Sequence, residues 1–436
     1  MKLEITDNFI TDNSKEVVKG CYFLKSNNNQ IYADEAVQNG AKLLSAKEAI
    51  ALLGINEKIK IVGITGTNGK TTTAAAIYST LLDLGYKAAL AGTRGFFIND
   101  KEVDKKALTT AMPLKNLSYL LEATKAKCDY FVMEVSSHAI AQNRIDGLFF
   151  SLKIFTNLTQ DHLDYHKTFE EYVRVKSSFF QDSTLKLINI DDGKLSFNHQ
   201  NAATYAIKSP ATFCIKAYSL KEGIDAVIKS PQKESLLSSP LVGEFNLYNL
   251  LAAFGAIALL TKKDDDEIVK ALANFAGVKG RVEVVWQDPL VIVDFAHTPD
   301  GMENILSSLK SKNIITVFGA GGDRDRLKRP IMGRVAQRYS KITIVTSDNP
   351  RSEKKEAIIE DIVSGMQMRD SVLIEPDRKK AITKAISLAK KGDIVAILGK
   401  GDEDYQEIDG VKHHFSDKEC VEEIMEAKND NRDASK

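Results

Sequence analysis

Residues 58–85 read KIKIVGITGTNGKTTTAAAIYSTLLDLG, and this stretch decides the fold class. The apolar run 58–65 has the length and bulk of a buried strand, the run after Lys70 is helical in character, and Gly85 stops it. Between them, ITGTNGKTTT (64–73) reads as a phosphate-binding loop. Gly66 and Gly69 let backbone N–H groups close around phosphate oxygens, the helix N-terminus favours an anion, and Lys70 reaches the terminal phosphates. Thr71 offers a hydroxyl to Mg²⁺. The spacing departs from G-x-x-x-x-G-K-[ST], because position 64 is Ile and the next glycine back is Gly63. The plain alternative, a Gly-rich turn without a ligand, is disfavoured by the strand, lysine and threonine around it.

Working outward, further strands are expected at AALAG, DYFVMEV, LKIFTNL and LKLINI, and a second series runs through LVIVDFAH, NIITVFGAG, KITIVTSD, SVLIEP and DIVAILGKG. Each is followed by a helical stretch, the signature of parallel sheets covered by helices. The class is α/β with three domains: a small N-terminal domain (1–57), a central domain of nucleotide-binding size that carries the phosphate loop (58–285) and a C-terminal doubly wound, Rossmann-like domain (286–436). The polar end, AKNDNRDASK, is expected to fray. With 436 residues, 43% hydrophobic and 27% charged, the chain is an ordinary globular one, which excludes disordered and fibrous classes. Its 59 basic residues equal its 59 acidic ones, so no global field recruits nucleic acid or an anionic membrane. Four scattered cysteines without a CxxC pair, and no apolar leader, point to a cytoplasmic protein.

Further segments carry chemistry. MEVSSHAIAQNR (133–144) places Glu134 at the C-terminal end of a strand, where a carboxylate beside a phosphate loop is a natural Mg²⁺ ligand. His138 reads equally well as a structural histidine. In FTNLTQDHLDYHKTFEEYVRVKSSFF (155–180), Asn157, Asp161, His162, Asp164 and His166 crowd one turn ahead of Lys176. Metal binding and a solvated helix start fit this pattern nearly equally, and no closed zinc spacing is present. Asn246 and Asn249 in GEFNLYN, Arg281 in GRVE, and Asp294 and His297 in DFAHTPD are polar groups among apolar runs that also read as helix caps.

In the C-terminal domain, GAGGDRDRLKRP (319–330), SDNPR (347–351) and GKGDE (399–403) each follow an expected strand. Convergence of Arg324, Arg351 and Glu403 gives two guanidinium forks for carboxylates and an acceptor for an ammonium, the complement of an amino acid. Taken alone, Asn349-Pro350 reads as a simple turn.

In their order along the chain, GTNGKTT, EVSSHAIAQNR, TNLTQDHLDYH, Lys176, FNLYN, GRVE, DFAHTPD, GGDRDRLKRP, DNPR and GKGDE resemble the Mur ligase family over nearly the whole length. The resemblance implies that Gly66, Thr67, Asn68, Gly69, Lys70, Thr71 and Thr72 hold the phosphates of ATP. It gives Asn246 and Asn249 to the adenine, with Arg281 and Asp294 completing the nucleotide site. Thr71 and Glu134 would serve one Mg²⁺, and His162 with a carbamylated Lys176 a second. Thr109, Thr110, Ser136, Gln142 and Arg144, with Ser14 at the uridine end, would take UDP-MurNAc-L-Ala-D-Glu. Arg324, Asp348, Asn349, Pro350, Arg351, Gly399 and Glu403 would receive meso-diaminopimelate. Family members usually carry GKGHE, and Asp402 stands here for the histidine.

The implied chemistry is ATP-dependent amide formation through an acyl phosphate, for peptidoglycan precursor synthesis, with Lys70, Glu134, His162 and Lys176 as catalytic groups and a C-terminal domain that closes on the central one. Partners are small molecules only, with neither nucleic acid nor membrane, and a monomer is expected. A folylpolyglutamate synthetase-like ligase is the enzymatic alternative, although it gives no reason for DNPR. A nucleotide-dependent binding module without ligase activity is the non-enzymatic one.

Overall fold

The strand Lys60–Thr65 is flanked by two parallel neighbours, Phe150–Phe155 on one side and Tyr130–Glu134 on the other. It lies inside an eleven-stranded sheet, the larger of two α/β sheets in the computed structural model, which describes residues 1–5, 8–105, 108–221, 223–309 and 313–433. The burial explains the composition of these strands: from Ile61 to Thr65 no residue reaches solvent, so the run is apolar throughout rather than alternating. Beyond Phe150–Phe155 come Lys186–Asn189 and Ala202–Ala206, also parallel. Beyond Tyr130–Glu134 comes Ala88–Gly92, again parallel.

Both edges turn antiparallel, with Phe213–Ser219, Ile224–Lys229 and Glu234–Ser239 at one side and Gly95–Ile98 and Lys101–Lys105 at the other. These edge strands were absent from the sequence expectation. Ile224–Lys229 and Glu234–Ser239 alternate buried and exposed residues, as in IDAVIK, and Lys101–Lys105 is largely exposed, so these lack the continuous apolar signal of the central strands.

The second sheet has six strands. Leu290–Asp294, Ile394–Leu398, Ile314–Phe318, Ile342–Val345 and Val372–Ile374 lie parallel in that spatial order. Successive residues feed opposite cores. Ile394, Ala396 and Leu398 pack with Met302, Leu306 and Ile362 on one face, while Val395 and Ile397 pack with Ile382, Ile386 and Val421 on the other. Helices thus cover both faces, as a doubly wound sheet requires.

Contacts divide the chain into one unit of Met1–Leu158, Thr168–Pro240 and Asn246–Ala276, and a second of Thr159–Lys167, Leu241–Phe245 and Gly277–Lys436. Three details differ from the sequence expectation. Glu283–Gln287 pairs antiparallel with Leu290–Asp294, so the C-terminal unit begins at Gly277, ahead of the expected boundary at 285. The N-terminal residues form their own four-stranded sheet, but Ile10, Leu24, Ala49 and Ile50 share one core with Ile61, Leu117 and Leu120 of the central region. At the other end, the expected frayed tail is helical through Asp433, in Asp417–Asp433. Among the described residues, no helix is long and apolar enough to cross a membrane.

Candidate functional site

Two groups of side chains gather at strand C-termini, one in each unit. In the first unit, Thr65 ends its strand and the loop 66–69 leads into helix Lys70–Asp83. Gly69 caps that helix at φ +85°, and a Cβ there would collide with Asn249 Oδ1, so both conformation and space require glycine. Neutral side chains brace the loop. Asn157 accepts the Asn68 N–H on Oδ1 at 2.9 Å and the Thr67 N–H on its carbonyl at 2.8 Å, while Thr156 Oγ1 donates to the Asn68 carbonyl at 2.6 Å. The Thr67 and Tyr172 hydroxyls lie 2.9 Å apart.

Lys70 Nζ donates to the carbonyls of Gly66 and Thr67, each at 2.9 Å. Lys176, 1% exposed, donates to the Gly66 carbonyl at 2.7 Å and the Thr65 hydroxyl at 3.3 Å. Two ammonium groups therefore gather at the loop that would hold phosphates. Asn249 accepts from Thr73 Oγ1 at 3.3 Å and donates to Asn246 Oδ1 at 3.1 Å, so this pair braces the loop from behind.

Glu134 ends the adjacent strand with only 2% exposure. Its Oε2 accepts from Thr71 Oγ1 at 2.9 Å, and its Oε1 accepts the Thr93 N–H at 2.9 Å. Thr93 also donates through Oγ1 to Glu134 at 3.3 Å and to Thr109 Oγ1 at 3.1 Å. Thr110 Oγ1 donates to the Glu134 carbonyl at 3.0 Å and accepts the Ser136 N–H at 2.9 Å. Arg144 donates to the Thr110 carbonyl at 3.0 Å and through both Nε and Nη2 to Gln142 Oε1.

Thr109, Thr110, Ser136, Gln142 and Arg144 are thus one hydrogen-bonded array contiguous with Glu134 and Thr71. Ser14 opens the short 3-10 turn Ser14–Glu16 and has no bond to this array among the described residues. Sequence reasoning assigned no role to Thr93, whose signal is its position immediately after the expected strand AALAG, and it read Asn157 only as one of the polar groups crowding the turn ahead of Lys176.

In the second unit, the segment 159–167 joins the C-terminal fold. Thr159 donates to Asp300 at 3.2 Å, and Asp161 lies 3.3 Å from His162 Nε2. Burial pushes Asp161 up, but the charges of His162, His297 and Lys328 outweigh it and hold the carboxyl below its ordinary value. Burial, reinforced by the Lys328 charge, lowers His297 to about 4. His162 therefore belongs to the second unit and Lys176 to the first.

Arg281 lies 4.6 Å over the Phe295 ring. Asp294, which burial pushes up against the opposing influence of Arg281, accepts the Val282 and Ala296 N–H groups at 2.7 and 2.6 Å.

The loops 319–326, 348–351 and 399–403 leave the C-termini of three adjacent parallel strands. Asn349 Nδ2 donates to Glu403 Oε2 at 2.8 Å. Gly399, at φ +114°, would place a Cβ 2.6 Å from Asp348 Oδ2, so only glycine lets these two loops touch. Arg351 also has φ +52°, unusual for a side chain with a Cβ, and its backbone is clamped by the hairpin formed by Tyr405–Ile408 and Val411–His414. Its N–H donates to the Glu407 carbonyl at 2.9 Å and its carbonyl accepts from Asp409 at 2.8 Å.

The Arg351 guanidinium donates to the Gly322 carbonyl at 2.7 Å and lies 3.4 Å from the Glu407 carboxylate. Arg324 stays exposed and bonds the Asp323 carbonyl at 3.3 Å. Asp348, Asn349, Arg351, Gly399 and Glu403 are therefore one cluster, with Arg324 at its rim. Beneath it lie buried ions that sequence reasoning passed over. Arg329 reaches Glu353 and Asp361 at 2.8 Å each, and Arg378 makes two 2.7 Å bonds to Asp417, both partners fully buried. In sequence they look like surface helix charges.

Comparisons with known proteins give the family. The family models Mur ligase middle domain and Mur ligase, glutamate ligase domain match residues 64–257 and 280–401. The chain is 51% identical to UDP-N-acetylmuramoyl-L-alanyl-D-glutamate–2,6-diaminopimelate ligase of Wolinella succinogenes, over 95% of both chains. It is 48% identical to the ligase of the same name from Helicobacter pylori, again over 95% of both. A solved structure of a protein with that name superposes with TM-score 0.68 and 31% identity, covering 96% of this chain and 95% of the other.

Proposed function

The chain belongs to the Mur ligase family, and from that premise we propose that it is an ATP-dependent amide ligase joining 2,6-diaminopimelate to UDP-N-acetylmuramoyl-L-alanyl-D-glutamate. The single structural observation that supports this choice of amino acid is the cluster of Arg351, Asn349 and Glu403, a guanidinium, an amide and a carboxylate at adjacent strand ends. A zwitterion with a second carboxylate and a second amine is the natural complement of such a set.

The chemistry divides between the units. The loop 66–72 and the N-terminus of helix Lys70–Asp83 bind the polyphosphate, and Lys70 exchanges its loop carbonyls for phosphoryl oxygens. A glutamyl carboxylate oxygen, oriented by the Thr110–Ser136–Arg144 array, attacks the γ-phosphorus. The bond to the bridging oxygen breaks and ADP leaves with that electron pair, giving an acyl phosphate. The diaminopimelate amine then attacks the acyl carbon, phosphate departs and the amine loses a proton. Lys70 offsets the negative charge that accumulates on the phosphoryl oxygens in the first step.

Mg²⁺ suits the residues at the loop. Thr71 Oγ1 and Glu134 Oε2 are 2.9 Å apart, a hydroxyl and a carboxylate, the hard oxygen donors that Mg²⁺ takes. Among the described residues no three His, Cys, Asp or Glu side chains gather as a closed metal site. An ion held by one hydroxyl and one carboxylate, with phosphates completing its shell, agrees with that arrangement. Bound there, it would neutralise phosphate charge. For a second Mg²⁺, Lys176 as a carbamate would supply an anionic ligand at the base of the loop. Activity of Lys176→Ala that is restored by acetate or formate supports the carbamate, and full activity without them removes it.

The deciding assay is ATP consumption and amide formation with each substrate omitted in turn. Turnover that requires both UDP-N-acetylmuramoyl-L-alanyl-D-glutamate and diaminopimelate supports the reading. Turnover with a folate and glutamate in their place, or ATP hydrolysis indifferent to both substrates, overturns it.

A further inference from the structure

Lys400 is completely buried, yet it lies within the loop that presents Glu403. Its ammonium has three N–H bonds to give and three acceptors in reach: Asn349 Oδ1 at 3.2 Å, Glu403 Oε2 at 3.1 Å and the Tyr405 carbonyl at 2.5 Å. Its stem starts from a fixed point. Arg378, itself buried against Asp417, donates to the Leu398 carbonyl at 3.1 Å and the Ser347 carbonyl at 3.3 Å, tying together the strand ends from which the two loops depart.

The consequences for Asn349 and Glu403 are specific. Asn349 Oδ1 receives two donors, Lys400 and the Glu407 N–H at 3.0 Å, so its Nδ2 must face Glu403. Glu403 Oε2 then accepts from both Lys400 and Asn349. Glu403 Oε1 carries no hydrogen bond among the described residues, and the side chain keeps 21% exposure.

The geometry points to Lys400 as the positioning residue that commits Glu403 Oε2 and leaves Oε1 aimed at the distal ammonium of diaminopimelate. A buried ammonium with every donor spent cannot serve the ligand directly; it acts by fixing the rotamer of Glu403. This inference rests on the diaminopimelate reading above and deepens it.

The test is Lys400→Met, which keeps the stem and removes the charge, measured with two ligands. One is meso-diaminopimelate. The other is 2-aminopimelate, which retains both carboxylates and lacks the distal amine. The expected result is at least a tenfold rise in KM for diaminopimelate, KM for ATP and the muramyl dipeptide within twofold of wild type, and an inhibition constant for 2-aminopimelate within twofold.

In a Glu403→Gln background the same substitution is expected to change KM for diaminopimelate less than threefold. Equal weakening of both amino-acid ligands, or an undiminished effect in the Glu403→Gln background, would show general loosening of the loop and overturn the inference. Should Lys400→Met fail to give a folded protein by thermal unfolding, Lys400→Gln, which keeps a donor, is read by the same criteria. Failure of the wild-type chain to ligate diaminopimelate rejects the ligase reading itself; normal wild-type ligation with unchanged KM in the variant rejects only the role of Lys400.

Discussion

The phosphate loop of the first unit and the amino-acid cluster of the second are both strand-end sites, but they are held in opposite ways. The loop 66–69 is braced by the uncharged side chains of Asn157 and Thr156, and its two ammonium groups, Lys70 and Lys176, donate to neutral oxygens that a polyanion would replace on the proposed reading. The cluster 348–351/399–403 is fixed by the buried ions Arg329, Arg378 and Lys400, whose charges are consumed by protein carboxylates and carbonyls. A site for a highly charged ligand supplies net charge, whereas a site for a zwitterion supplies balanced charges at fixed separation and must prevent them from pairing with each other. The Arg351–Glu407 contact at 3.4 Å shows how close such pairing lies.

The sharpest way to break this comparison is Lys70→Ala. Removing one stabiliser of developing charge should lower kcat by ~10² to 10³, with KM for diaminopimelate within twofold and a folded protein by thermal unfolding, because Lys70 lies in a part-buried loop and donates to its carbonyls. Near-normal turnover by the folded variant would show that the loop does not act through that charge.

Arg351→Ala probes the other site. Loss of a charge-assisted fork to a carboxylate should lower kcat/KM for diaminopimelate by ~10 to 10² and leave KM for ATP and the muramyl dipeptide nearly unaltered. L-lysine lacks the distal carboxylate, so its kcat/KM should move little and the preference should collapse. If wild type uses lysine equally well, or the ratio survives the mutation, Arg351 does not read that carboxylate.

The same contrast explains what the sequence disclosed. The phosphate loop is contiguous, and its glycine, lysine and threonine requirements are local, so residues 64–73 could be read directly; the parallel strands buried on both faces announced themselves by being apolar throughout, whereas Ala202–Ala206, half-buried and polar in part, did not. DNPR and GKGDE were legible as motifs, since turn residues and charges after a strand are conspicuous. The supports were not. Arg329 and Arg378 sit in helices full of exposed lysines and arginines, and only the fold shows that these two point inward. Thr93 was hidden for the opposite reason, being an ordinary threonine whose meaning comes from Glu134 on a strand 41 residues later. The boundary at Gly277 depended on pairing of Glu283–Gln287, a non-local contact that GRVE alone does not reveal.

The smallest effect expected is in stability, and it separates the two modes of support by pH. Glu353 accepts from Arg329 through both oxygens at 2.8 and 3.0 Å, receives Arg326 at 2.8 Å, and takes the Asp323 N–H at 2.6 Å, so it anchors the loop 321–326. The Arg329 hydrogen bonds come first among the influences that lower its carboxyl to about 2 from an ordinary 4.5. A carboxylate depressed on folding contributes stability that is fully present above about pH 4.5 and is lost as pH falls toward 2. Glu353→Gln should therefore unfold about 3 to 6 °C lower at pH 7, corresponding to ~1.5 kcal/mol for a charged hydrogen-bond partner in a unit of this size. That deficit should shrink steadily between pH 4.5 and 2 as the wild-type carboxylate is protonated. Asn157→Ala, which loosens the neutral support of the phosphate loop, provides the contrast: its deficit relative to wild type should be flat across the same window, since neither asparagine nor alanine titrates. A Glu353→Gln deficit independent of pH would mean that the carboxylate is not held ionised by Arg329. An Asn157→Ala deficit that tracks pH would mean that the phosphate loop rests on charge after all.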